Sequence, residues 1–137
     1  MVLCTLALTA CIIAPVSAGA IPVRGLQTFQ EDGAVIVSAT AYSPPDADQC
    51  GARWGVHIFN SYGYRVRVKY GKFNACTDGD RGWTTGFINT WLETQSLTRG
   101  TYRICVAASQ LVNGRRSAHS LCGRRELGPT AYSPGAP

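Results

Sequence analysis

The chain has 137 residues, a formal net charge of +5 and 45% hydrophobic residues, which fits one domain with a modest core. All of the charge lies beyond residue 18, as do four of the six cysteines. None of these four stands in a C-x-x-C pair, which argues against a zinc site and against a redox site.

The N-terminal residues 1–18 are apolar and uncharged and end in the small-x-small triplet "VSA". This pattern predicts a secretory signal peptide cleaved after Ala18, and the run is too short to predict a membrane span. The letters "LTAC" before the next apolar residues also resemble a lipobox, so the alternative is a lipid anchor on Cys11. Residues 19–33 are polar and aperiodic and predict a flexible N-terminal arm.

Strand-like stretches follow one another with turn residues between them. "AVIVSATAY" is rich in β-branched residues, "RWGVHIF" and "YRVRVKY" flank the turn "NSYG", and "WTTGFINTWLETQSL" holds one or two strands. "TYRICVAASQLV" and "RRSAHSLCG" come last. About seven strands without an amphipathic helical repeat predict an all-β fold, an antiparallel β-sandwich over residues 34–128 with a Pro/Gly-rich tail at 129–137.

The strict alternation in "YRVRVKY" predicts a half-buried hairpin strand. Its apolar residues should share the inner face with Trp54, Val56 and Ile58 of the preceding strand. Its basic residues, Arg65, Arg67 and Lys69, should then form a row on the outer face.

Asn113-Gly114 lies midway between two cysteines and is the preferred pair for a two-residue type I′ turn. This turn places Cys105 directly opposite Cys122, in the pair type with the closer Cα atoms. An even number of cysteines in a short exported chain indicates disulfides. The sequence therefore predicts Cys105–Cys122 and, by exclusion, Cys50–Cys76.

The segment "SLTRGTYRICV" resembles the approach to the sixth strand of immunoglobulin-like and fibronectin type III domains. The resemblance covers about a dozen residues and implies architecture alone. In immunoglobulin domains the tyrosine precedes a core cysteine by two residues. Here three residues separate Tyr102 from Cys105, so the disulfide should lie on the outer face of its sheet. The matching residues are Leu97, Gly100, Tyr102, Ile104 and Val106.

The chain is also similar to the small secreted α-amylase inhibitors of streptomycetes, which are β-sandwiches with two disulfides. Their Trp-Arg-Tyr triplet implies the inhibitory function. This sequence has Arg53-Trp54-Gly55 and no such triplet, so the resemblance does not carry amylase inhibition over to this chain.

No catalytic motif accompanies the two histidines, His57 and His119, and no G-x-S-x-G is present. Asp78-Gly79-Asp80 lacks the rest of a calcium loop and reads as a solvated turn. We therefore expect no enzymatic activity, no metal and no cofactor.

Two features remain as candidates for binding. The basic row could join Arg103 and the hairpin-tip residues Arg115 and Arg116 in a cationic sheet face, although a charged outer face also serves solubility alone. Trp83 and Trp91 are the second feature. An exposed tryptophan at either position would suit stacking on a sugar or contact with a protein, and the alternative is that both pack in the core or at its edge.

The resulting hypothesis is a secreted binding protein without enzymatic activity. Its partner would be an anionic envelope polymer or another extracellular protein, with nucleic acid unlikely as a ligand. A disulfide-braced inhibitor of a secreted hydrolase is the alternative, and a small hydrolase is a distant third. The predicted binding residues are Arg65, Arg67, Lys69, Arg103, Arg115 and Arg116.

Overall fold

The computed structural model describes residues 22–42, 48–73, 85–112 and 115–131, and every regular element in these ranges is a β-strand. The prediction of an all-β fold is confirmed for these residues. The strands are β1 (Val23–Glu31), β2 (Ala34–Tyr42), β3 (Asp48–Phe59), β4 (Arg65–Lys72), β5 (Thr85–Glu93), β6 (Gly100–Val112) and β7 (Arg115–Leu127).

The seven strands form two antiparallel sheets, one with the order β1-β2-β5 and one with the order β4-β3-β6-β7. A single core cluster takes residues from both sheets, including Val37 and Ile88 from the first and Val56 and Ile104 from the second. In β2 and β5 these residues alternate with more exposed ones, as expected where one face of a sheet is buried.

The hairpin of β6 and β7 has the predicted register. Val112 pairs with Arg115, and the pairing continues without a shift to Cys105 opposite Cys122. These cysteines form a disulfide with a Cα–Cα distance of 4.1 Å. The prediction of Cys105–Cys122 is confirmed, whereas the turn itself and the predicted Cys50–Cys76 bond lie outside the residues whose side chains the structure describes.

The expectation of a flexible arm over residues 19–33 is wrong for its larger part, because Val23–Glu31 is an edge strand paired with β2. The alternation of β1 is interrupted by a bulge between Arg24 and Gln27, at Gly25 with φ 68°. This bulge hides the strand pattern in the sequence. The start of the predicted tail is also hydrogen-bonded to the rest of the fold, because the backbone N–H of Gly33 donates to the carbonyl of Pro129 at 2.9 Å.

Strand β4 does not have the predicted orientation. Ile58 pairs with Arg67 and Phe59 pairs with Arg65, so one extra residue, Val66, is inserted between them. Val68 pairs with His57 on the outer face, while Arg67 shares a face with the buried Ile58. Because of this bulge, the apolar residues of β4 do not share one face as the alternation predicted.

Tyr102 is buried at the start of β6 together with Ile104 and Val106, as the sequence predicts. Its hydroxyl donates to the carbonyl oxygen of Thr98 at 2.6 Å, four residues upstream. This bond anchors the connection between β5 and β6 to the core. Trp54 packs against the same core, also as predicted.

Candidate functional site

An arginine–aromatic cluster lies on the outer face of the four-stranded sheet and consists of Arg65, Arg103, Arg124, His57, Phe59 and Tyr70. Arg103 and Arg124 lie directly opposite each other on β6 and β7. Neither makes an ion pair with a carboxylate among the described residues. Like charges at directly opposite positions disfavour the strand pair, so an anion between these guanidinium groups would be stabilising.

The aromatic part of the cluster is assembled by β3 and β4. The His57 ring stacks on Phe59 with 6.1 Å between ring centroids and meets Tyr70 edge-on at 5.5 Å. Gly55 lies beneath them, and a Cβ there would come within 3.0 Å of both His57 Nε2 and Tyr70 Cδ1. The absent side chain of Gly55 therefore lets two rings lie close to the sheet.

Arginines extend the aromatic group at both ends. The guanidinium carbon of Arg103 lies 4.8 Å from the centroid of the Phe59 ring, a cation–π distance. Arg65 Nη1 donates to the Tyr70 hydroxyl at 3.4 Å. Tyr70 is 64% exposed, so a ligand can reach the cluster from solvent.

His57 is kept neutral by its surroundings. Partial burial, and after it the positive charge of Arg65, hold the pKa of His57 below its ordinary value. A neutral imidazole between arginines avoids further repulsion and leaves an aromatic surface. Below that pKa the same ring adds a positive charge to the cluster.

A cleft of about 440 Å³ opens beside Arg103 and Arg124, a volume suited to a small ligand group. Its remaining lining is polar and comes from the β3–β4 turn and the start of β6, including Asn60, Ser61 and Thr101. Two guanidinium groups with hydroxyl and amide donors around them suit a phosphate, sulfate or carboxylate group.

Two of the six predicted binding residues, Arg65 and Arg103, belong to this cluster. Arg67 and Lys69 do not, because β4 turns them toward the first sheet. Arg67 forms an ion pair with Glu93 at 2.9 Å, and Lys69 Nζ donates to the carbonyl of Trp91 at 3.1 Å. The prediction of an outer basic row is therefore wrong for these two, which link the edges of β4 and β5.

The Glu93 carboxylate is held by several donors at this edge. The backbone N–H of Ser96 donates to Glu93 at 2.7 Å and is the largest cause of a lowered Glu93 pKa. The Ser96 hydroxyl and Arg67 also lower the pKa of Glu93, whereas desolvation of the carboxylate raises this pKa. Arg67 is thus part of a structural network.

Arg115 and Arg116 lie at the far end of the same sheet. Arg115 pairs with Val112, nine residues along β6 from Arg103, which corresponds to about 30 Å. Arg116 donates to the Ser109 hydroxyl at 3.0 Å. The structure therefore does not bring the hairpin tip together with the arginine–aromatic cluster.

The two histidines have different surroundings: His57 belongs to the arginine–aromatic cluster, whereas His119 contacts β1. Nδ1 of His119 accepts a hydrogen bond from the backbone N–H of Val23 at 3.0 Å, which joins β7 to β1. Within the described residues no group of His, Cys, Asp or Glu side chains is placed to hold a metal ion. Asp78, Asp80 and Trp83 lie outside the described ranges.

The sequence did not indicate three residues of the cluster as candidates for binding: Arg124, Phe59 and Tyr70. For Arg124 a signal existed, because the register set by Asn113-Gly114 that places Cys105 opposite Cys122 also places Arg103 opposite Arg124. Strict alternation places Tyr70 on the inner face, and the bulge at Val66 moves it to the outer face.

No helix within the described ranges is long and apolar enough to cross a membrane. Comparisons with protein-family models, with curated proteins and with solved structures found no match to this chain.

Proposed function

We propose that the chain is an exported binding module without enzymatic activity, and that its arginine–aromatic cluster binds an anionic polymer of the cell envelope. The observation that carries this proposal is the facing pair Arg103 and Arg124, which lacks a carboxylate partner in the described residues and lines a cleft. The export part rests on the signal-like residues 1–18 and on the disulfide, a bond typical of oxidising compartments.

The scaffold in this proposal is an immunoglobulin-like β-sandwich. Its support is the core cluster shared by both sheets and the buried Tyr102, whose hydroxyl bonds back to the Thr98 carbonyl as in a tyrosine corner. In constant-type immunoglobulin domains the fourth strand joins the first, second and fifth. Here β4 pairs with β3 instead, and the disulfide joins neighbouring strands of one sheet.

A polymer is favoured over a compact anion by the shape of the cluster. Charged and aromatic groups run along the outer face from Arg124 through Phe59 and His57 to Tyr70, across four neighbouring strands. An extended ligand can place anionic groups on the arginines and apolar groups on the rings. The net charge of +5 adds long-range attraction for a polyanion.

The test is an affinity measurement with teichoic acid and with dextran sulfate as polyanions and neutral dextran as blank. The oxidised chain should bind both polyanions, with an affinity that falls steeply as salt rises from about 50 mM to about 200 mM. The double variant Arg103→Ser/Arg124→Ser should lose about tenfold or more at the lower salt, because both guanidinium contacts are removed.

The matched control is Arg115→Ser/Arg116→Ser, which removes the same charge from the other end of the sheet. This variant should bind within about threefold of the parent chain, since only long-range attraction is weakened. Equal losses in the two double variants would show that net charge alone attracts the polymer, and the cluster would then have no special role.

A further inference from the structure

A second exposed surface lies on the outer face of the other sheet, away from the arginine–aromatic cluster. Phe29, Ile36 and Trp91 are directly paired across β1, β2 and β5, so they form one row across the whole sheet. Phe87 lies four residues before Trp91 on β5, about 13 Å along the strand, and is paired with Thr40. We call this surface, with Tyr42 at its end, the aromatic face.

The exposure of these side chains is unusual for a surface with no function. Phe29 is 63% exposed, Phe87 77% and Trp91 58%. Contiguous exposed apolar groups of this kind mark interaction sites more often than scattered single residues do. A cleft of about 390 Å³ adjoins Phe29 and Ile36, and Arg125, which donates to the Thr28 hydroxyl, lines its far side.

Trp91 is also held in place before any ligand arrives. The Lys69 ammonium lies 4.6 Å from the centroid of the indole ring, while the same group donates to the Trp91 carbonyl. A cation–π contact of this length favours one ring orientation. A pre-oriented aromatic ring loses less conformational entropy on binding.

The chemistry between the aromatic rings is neutral and polar. Gln27, Ser38 and Asn89 are paired across the three strands and form a row between the Phe29–Trp91 row and Phe87. Neither central row carries a charge. Amide and hydroxyl groups between aromatic rings match a ligand with hydroxyl groups on its edges and C–H groups on its faces.

A second copy of this chain does not fit this surface well. Three strands of nine residues span about 14 Å by 30 Å and turn about half of their residues, roughly 13, to this face, whereas each partner of a standard interface contributes roughly 20–30 residues. Two copies would also each carry a net charge of +5. The two central rows form a narrow strip of uncharged residues, with Arg24, Glu31 and Glu93 in the adjacent rows, and this strip suits a single extended chain.

We propose that the aromatic face binds a neutral polysaccharide chain, with sugar rings stacked on Trp91, Phe87 and Phe29 and sugar hydroxyls bonded to Gln27 and Asn89. This site is independent of the polyanion site proposed above. With both ligands bound, the protein would bridge a neutral and an anionic polymer.

The test is depletion of the oxidised full chain by four insoluble neutral polysaccharides, namely cellulose, chitin, a β-1,3-glucan and an α-glucan, at a salt concentration that suppresses polyanion binding. The chain should be retained on at least one. Trp91→Ala and Phe87→Ala should each weaken retention about tenfold, the loss of one binding hot spot.

Two controls separate this site from general effects. Tyr70→Ala removes an equally exposed ring from the other sheet and should bind like the parent chain, as should Arg103→Ser/Arg124→Ser. Thermal unfolding should be nearly unchanged in Phe87→Ala, because its ring is exposed. Retention on none of the four polysaccharides, or equal retention of Trp91→Ala, would overturn the proposal. Sedimentation that shows a dimer dissociated by Trp91→Ala would assign the face to a second copy and overturn it too.

Discussion

Arg103 and Arg124 lie directly opposite each other on β6 and β7, two positions from the disulfide between Cys105 and Cys122. The disulfide holds the two strands together at the point where the facing charges repel. The cluster therefore keeps its unpaired arginines in place without a carboxylate partner among the described residues.

Replacing one of these arginines should stabilise the free protein. We expect Arg124→Thr to raise the free energy of unfolding by about 0.5 kcal/mol at low salt, because a like-charge cross-strand pair is removed. The gain should shrink at high salt, where the repulsion is screened. Denaturant unfolding at two salt concentrations measures it, and a salt-independent loss of stability would contradict this reading. The same variant should bind polyanions less tightly.

Loss of the disulfide should be costly. The bond closes a sequence separation of 17 residues, and we expect Cys105→Ser/Cys122→Ser to lower the free energy of unfolding by about 3 kcal/mol. Urea unfolding of the oxidised chain and of the variant measures the difference. A loss below about 1 kcal/mol would contradict this expectation. It would mean that β6 and β7 stay close together in the unfolded state even without the disulfide, so that the bond restricts this state little.

The stability of the fold should depend on the protonation of His57. The folded-state pKa of His57 lies below its unfolded value, so its contribution is present above the unfolded pKa, about 6.5, and is lost as pH falls through the folded pKa. We expect the parent chain to lose more stability than His57→Gln between neutral and mildly acidic pH. Parallel curves for the two proteins would contradict the assignment.

Arg65 supplies the smaller of the two causes of this shift. In an NMR titration of the imidazole, Arg65→Ser should therefore raise the pKa of His57 toward its ordinary value without restoring it fully. Arg67→Gln is the control, because Arg67 points to the other side of β4 and should leave this titration unchanged.

Gly71 is required by the packing of Trp54. The two residues pair across β3 and β4, and a Cβ at Gly71 would overlap the indole ring. We expect Gly71→Ala to destabilise the fold by about 1–3 kcal/mol, since a large ring must leave its position. Gly100→Ala is the matched control, because its Cβ would meet nothing closer than 4.0 Å and the change should be nearly neutral.

The hairpin of β6 and β7 shows what the sequence could predict. A two-residue turn determines which residues of the two strands pair. A turn at Asn113-Gly114 therefore predicts that Cys105 lies opposite Cys122, and the same register places Arg103 opposite Arg124. The resemblance to immunoglobulin-like domains implied that Tyr102 lies on the inner face, and Tyr102, Ile104 and Val106 are buried.

The bulges show why the rest could not be predicted. Each inserts one residue into a strand and reverses the faces beyond it, at Gly25 in β1 and at Val66 in β4. Alternation alone does not reveal such a shift. The positions of Arg67 and Lys69 also depend on tertiary structure, because their partners on β5 are 26 and 22 residues away in sequence.

The last strand of the second sheet has a consequence for behaviour at high concentration. β7 is a 13-residue edge strand of the described sheets, and its outward backbone groups could pair with the same edge of another molecule. Arg115, Arg116, Arg124 and Arg125 lie along this edge, so two such edges would repel each other. These arginines should therefore protect the protein against edge-to-edge aggregation.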